Sequence, residues 1–257
     1  MKRNDSGALF HAAAAILLLV MLGPVVAMLA AVPPADVVRS FSQPVAQEAV
    51  RVSLIASSIA VAAASILGVP AGYALAHARR GLRGLVLSLL ALPLAFPPVA
   101  SGIILLQTVG TRTPLGAALA QHGIVLVDSL WGVALAEFFV AGSFVAITAA
   151  AAFGSLDPSY DESAQILGAG PAARFFRIAL PLAAPNVVAG MVLAWMRAIG
   201  EYGATSILAY HPTSLPVELY VALSAQGVST SLSLTYGFVV LAAVVVAVQW
   251  ALRRRVV

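Results

Sequence analysis

The chain has 257 residues, of which 61% are apolar and only 9% charged, with no cysteine and a formal net charge of +4. A soluble globular domain carries about 25% charged residues, so a mean hydropathy of +0.99 points to a chain built for lipid and counted in spans of about 20 residues. The lack of cysteine excludes disulfides, thiol catalysis and cysteine-based metal sites. The four histidines, His11, His77, His122 and His211, form no i,i+4 pair that would suggest a helical metal site.

Six apolar runs are long enough to cross a bilayer: Ala8–Val32, Val52–Ala76, Leu85–Val109, Ile124–Ala150, Ala183–Tyr210 and Leu232–Leu252. Backbone in hydrocarbon must satisfy its own hydrogen bonds, and these runs are too long for barrel strands, so they predict helices. The expected fold class is all-α, a polytopic membrane protein with six transmembrane helices. The first run follows "MKR" and spans 25 residues, longer than the ~7–15 apolar residues of a cleaved signal peptide, which predicts a retained first helix. The third run contains "LPLAFPPVASG"; Pro93, Pro97 and Pro98 remove backbone donors and predict a kink or break. A broken helix near mid-depth is a place where translocation paths form, and plain kinking is the alternative. Glu137 stands alone in the fourth run, a costly charge whose partner the sequence does not identify.

The cations fix an orientation. Lys2, Arg3, Arg79, Arg80, Arg83, Arg174, Arg177, Arg253, Arg254 and Arg255 fall on one side, ten of the 14. Arg39, Arg51 and Arg112 fall on the other, and Arg197 lies inside a run. The positive-inside rule then places both termini in the cytoplasm. Grouped this way, the basic residues read as orientation signals and not as a nucleic-acid surface.

Between the fourth and fifth runs lies "SLDPSYDESAQILGAGPAARFFRIALP". Asp157 can cap a helix with Pro158 at its first position, and Ser159 with Glu162 matches a capping box. Asp157, Asp161 and Glu162 suit the positive end of a helix dipole. Gly168, Gly170 and Pro171 should end that helix, and a second short one carries Arg174 and Arg177. A connecting surface helix would satisfy this pattern. The spacing Glu162-Ser163-Ala164, three residues, Gly168, nine residues, Ile178-x-Leu180-Pro181 says more. It resembles the EAA loop of permease subunits in ATP-binding-cassette (ABC) importers, with Ser163 in place of the family's Ala. In that family the loop docks into a groove of the ATPase. The resemblance implies that Glu162, Ser163, Ala164 and Gly168 make that contact and that Ile178, Leu180 and Pro181 complete the motif.

"VRVSLIASSIAVAAASILGVPAGYALA" looks like the start of the type 1 transmembrane domain of these importers. The implied division is residues 1–48 as a tip, first helix and external segment; 49–251 as the transmembrane domain with the EAA loop at 157–181; and 252–257 as a basic tail. The fifth run contains "RAIGEYGATSILAYHPTSLPVELY". Arg197 and Glu201 stand i,i+4 in an apolar run and should pair or face a polar cavity; a structural pair and a pathway or gate role both fit. Gly200 and Gly203 permit close helix packing. The segment resembles the molybdate/tungstate branch of the family, with sulfate permeases as relatives. By that resemblance Glu201, Tyr202 and Gly203 form its core, and Tyr210 to Pro216 face a binding protein. Ser101, Thr108, Thr205 and Ser206 carry hydroxyls suited either to a passing oxyanion or to helix packing.

The resemblance implies a homodimer in the cell membrane, driven by separate ATPase subunits and served by an extracytoplasmic oxyanion-binding protein. Two-fold closure is the commonest assembly of one repeated chain. The chain has no G-x-x-x-x-G-K-[ST] loop, so ATP hydrolysis would come from a partner; no cofactor and no catalytic residue are expected. A secondary transporter or channel is the reading from another class, but it would need no EAA loop.

Overall fold

The computed structural model describes residues 5–254. In chain order the helices are α1 (Asp5–Ala31), α2 (Pro34–Phe41), α3 (Pro44–Ala76), α4 (Arg80–Ala95), α5 (Pro98–Val109), α6 (Pro114–Gln121), α7 (Leu130–Gly154), α8 (Pro158–Ile166) and α9 (Pro171–Arg174). A π-helical turn, Phe175–Ala179, leads into α10 (Leu180–Ile199), followed by α11 (Gly203–Leu208), α12 (Leu215–Gln226) and α13 (Val228–Arg254). No strand occurs among the described residues.

The core is α3, α7 and α10, held together by small residues. A Cβ on Gly72 would come within 2.6 Å of the Ala149 Cβ, and one on Gly68 within 3.2 Å of the Ala146 nitrogen. Gly190 of α10 lies directly against the Thr148 side chain of α7. In lipid no hydrophobic force drives helices together, so such close backbone approach supplies the packing. Ala141, Val145, Ala149, Ala183, Val187 and Ala194 are buried along these seams. By contrast, no residue in the apolar window of α1 is buried within the chain.

α3 and α7 run parallel: Val52 neighbours Val133 near their starts, and Gly72 meets Ala149 near their ends. The segment between them must therefore carry the chain back across the bilayer once. It does so as α4 and α5, bent by 105° at Phe96–Pro97, and five continuous helices plus this pair give six crossings. The break predicted from Pro97 and Pro98 is present. Pro98 opens α5 as its first residue, and neither proline can donate a backbone hydrogen bond to continue α4.

Two of the expected spans need correction. The fourth begins later, because Ser129 caps α7 by accepting from the Gly132 N–H at 3.1 Å, leaving residues 124–129 outside the helix. The fifth is not one helix from Ala183 to Tyr210. Its helical run begins at Pro171, α10 stops at Ile199, and Gly200–Tyr202 separates it from α11. The short helices α2, α6 and α12 lie outside the six apolar runs, each too short to cross a bilayer.

The two ends of the bundle differ. At one end lie α8, the end of α3, and Arg79, Arg80, Arg83, Arg174 and Arg177; there Arg83 donates to the Ala150 carbonyl at 3.4 Å, near the end of α7. At the other, α2, α3, α12 and α13 border a polar cleft of about 560 Å³. There the Ser53 hydroxyl accepts from the Leu215 N–H at 2.8 Å, securing the start of α12.

Candidate functional site

α8 stands at the basic end as a capped, exposed helix. The Asp157 carboxylate accepts from the Ser159 N–H at 2.9 Å, with Pro158 at the first helical position. That hydrogen bond holds the Asp157 carboxyl below its ordinary range. Asp157, not Ser159, is thus the cap. The helix ends in a turn through Gly168, whose φ of +81° favours glycine, and the Ala169 N–H closes it on the Ala164 carbonyl at 2.9 Å.

The surface presented differs in part from the one expected. Glu162, Ser163 and Gly168 are exposed, but Ala164 is buried and turns toward the bundle. Ile166 and Leu167, each 86% exposed, complete the outward face. Two adjacent apolar residues in an otherwise polar helix were the signal for them in the sequence. Ile178 and Leu180 are half-buried in the π-helical turn and the start of α10, and Pro181 is exposed beside them.

The second constellation is where the two breaks meet. Gly203, first residue of α11, lies against Pro98, first residue of α5, and Gly102 lies against Ala204 and Ile207. Glu201 sits in the break, 1% exposed. One carboxylate oxygen pairs with the Arg197 guanidinium at 2.7 Å, and the other accepts from the Ala204 N–H at 2.8 Å. The expected pair therefore forms, though Glu201 is beyond the end of α10 and caps the next helix. The Thr205 hydroxyl lies 2.9 Å from both the Glu201 and the Tyr202 carbonyls and donates within its own helical turn. Tyr202 is half-buried, its ring 5.0 Å from that of Tyr220.

Ser101 is fully buried on α5, and its hydroxyl lacks a hydrogen-bond partner among the described residues. The same holds for both carboxylate oxygens of Glu137 on α7. Its neighbours Ala136 and Val140 pack against Ala204 and Leu208 of α11. Arg197 does not neutralise Glu137; it is paired with Glu201. Of the segment from Tyr210 to Pro216, Tyr210 and His211 are exposed, whereas Ser214, Leu215 and Pro216 are buried.

A six-crossing helical bundle with interrupted spans and a displayed helix at its basic end defines the transmembrane fold of an ABC importer permease. The solved structure of a bacterial ABC transporter involved in the import of alginate shares this fold, with a TM-score of 0.74 at 19% identity over 99% of this chain and 96% of that one. The chain belongs to the family described as "binding-protein-dependent transport system inner membrane component", whose model matches residues 68–257. It is thus a multi-pass membrane protein. A probable molybdenum ABC transporter permease of Haloferax volcanii is 37% identical over 219 residues, 85% of this chain and 80% of the relative. The molybdate/tungstate transport system permease WtpB of Pyrococcus abyssi is 33% identical over 182 residues, 70% and 67% of the two chains.

Proposed function

We propose that the chain is the membrane-spanning subunit of an ATP-driven importer of molybdate or tungstate, working as a homodimer around a central path. The observation that carries the coupling is α8, a rigidly capped helix outside the bundle that presents Glu162, Ser163, Ile166, Leu167 and Gly168 to a partner. The partner is an ATPase subunit at the cytoplasmic face, and both termini are cytoplasmic because α8 lies with most of the cations. The opposite end, with its polar cleft beside Asp36, Arg39 and Glu218, receives the oxyanion-binding protein. ATP moves the path between inward- and outward-facing states because the ATPase binds the two states unequally. The permease itself performs no chemistry.

Molybdate and tungstate are favoured by the relatives' names together with the segment from Arg197 to Tyr220. Arg197, Glu201, Tyr202, Gly203 and Ser101 gather at the meeting of the two breaks, and we place the gate there. Uptake of molybdate and tungstate in a deletion strain tests the cargo: it should be lost while sulfate uptake persists, and the reverse pattern would transfer the chain to the sulfate branch. For the coupling, Gly168→Glu should insert normally yet fail to retain the ATPase on purification. Undiminished retention would refute the docking role of α8.

A further inference from the structure

Ala164 is the one buried residue of α8. A cavity of about 220 Å³, lined by Tyr73, Phe153, Tyr160, Asp161, Ile178 and Leu182 among others, lies between α8 and the end of the bundle. Apolar packing therefore does not hold this helix flush against the spans. The attachment is polar and converges on a single side chain. One oxygen of Asp161 accepts from the Arg174 guanidinium at 2.8 Å, and the other accepts from the Tyr73 hydroxyl at 3.3 Å. Arg174 also reaches the Gln165 side chain at 3.4 Å, one turn further along α8.

These are not solvated surface groups. The Arg174 and Asp161 side chains are 17% and 27% exposed, which shields the pair from the screening that weakens exposed ion pairs. The anchor points are themselves fixed. The Tyr73 ring, at the end of α3, meets Phe175 at 5.0 Å in a tilted contact and Phe153 at 5.3 Å edge-on, so it packs against the end of α7 and the π-helical turn. Arg174 immediately precedes that turn, which continues into α10.

We propose that Asp161 is the positioning residue of α8, a clamp that joins it to α3 through Tyr73 and to α10 through Arg174. The inference rests on the coupling role of α8 proposed above and adds the route by which its displacement enters the spans. Without the clamp, a push on α8 is absorbed by the cavity behind it. With the clamp, α8, the end of α3 and the foot of α10 move together.

The test has two readouts. Because the chain has no native cysteine, a single nitroxide on Ile166→Cys reports the motion of α8 by electron paramagnetic resonance with no partner present. Asp161→Asn, and less strongly Tyr73→Phe, should shift that spectrum toward the mobile component. In unlabelled proteoliposomes with ATPase and binding protein, Asp161→Asn should transport several-fold less molybdate per ATP hydrolysed while retaining the ATPase. Combining Asp161→Arg with Arg174→Asp should restore part of both signals lost by either alone. An unchanged spectrum in Asp161→Asn, or unchanged transport per ATP despite a mobile helix, would overturn the proposal. Failure of the wild-type chain to recruit an ATPase would sink the coupling reading itself, a result told apart because label mobility is read without the partner.

Discussion

Gly203 and Pro98 touch backbone to ring across the two interrupted spans: a Cβ on Gly203 would come within 2.5 Å of the Pro98 Cβ and 2.9 Å of the Val99 nitrogen. The atoms in the way belong to a proline ring and to backbone, not to the end of a flexible side chain that could swing aside. Gly203→Ala should therefore destabilise the protein by about 1–3 kcal/mol, the range for overpacked sites. Gly200→Ala is the control, because its added Cβ would meet only the Met196 carbonyl at 3.6 Å. Thermal unfolding in detergent should show a lowered Tm for the first variant and little change for the second.

Arg197 and Glu201 form an ion pair, but exchanging them should not restore what either reversal loses. Glu201 also accepts the Ala204 N–H, and an arginine at that position has no acceptor to offer. It would instead bring a guanidinium to a site where Glu201 is 1% exposed. Glu201→Gln should be the mildest change, since its amide oxygen can keep the cap while the charge on Arg197 goes unpaired. Tm values and uptake rates of the two reversals, the exchange and Glu201→Gln would check this order; full recovery by the exchange would show that the cap is dispensable.

Ile166 and Leu167 make little contact with their own chain, each being 86% exposed. Replacing both by serine should change the unfolding free energy by no more than about 0.5 kcal/mol, as for surface positions generally, and so leave Tm nearly unmoved. If α8 docks on the ATPase, the same variant should lose most of its co-purifying ATPase. Retention of the ATPase would mean that the apolar tip is not part of the contact.

Asp157 gives α8 a pH dependence with a definite sign. Its folded-state carboxyl is held below the ordinary value, so its contribution is complete above the unfolded value of about 4. That contribution is lost as pH falls through the lower folded one. The start of α8 should accordingly hold at neutral pH and loosen only under strong acid. Asp157→Asn, which keeps an acceptor oxygen without titrating there, should remove that pH step. Hydrogen exchange at residues 159–163, compared as protection factors between neutral and acidic solution, would show it.

The sequence made some of this legible and hid the rest for physical reasons. Pro97 and Pro98 announce a break because a missing N–H is visible in the residue type, and Asp157-Pro158 announces a helix start in the same way. The break at Gly200–Tyr202 has no proline to mark it: the surrounding run stays apolar, and Arg197 and Glu201 have helical spacing whether or not the helix continues. The helix stops at Ile199 and restarts at Gly203, and the Glu201 carboxylate meets the Ala204 N–H at that restart. The helices α2 and α6, with eight residues each, escape a search for membrane-length runs. The clamp on Asp161 was hidden because its second partner, Tyr73, is 88 residues away. Its carboxylate looked like one more acid at a helix start.

α7 has no proline within its 25 residues, and its small-residue seams tie it to both α3 and α10. At about 1.5 Å per residue it is a strut about 38 Å long. A tilt of about 5° at the end near α8 would carry its far end, beside Leu130, by about 3 Å. That is the scale of a side chain's width, enough to part or close the glycine-lined contact between α5 and α11. Under the proposed coupling, the tight seams would make α7 a lever, turning a small angular movement at one face of the membrane into a displacement near the other.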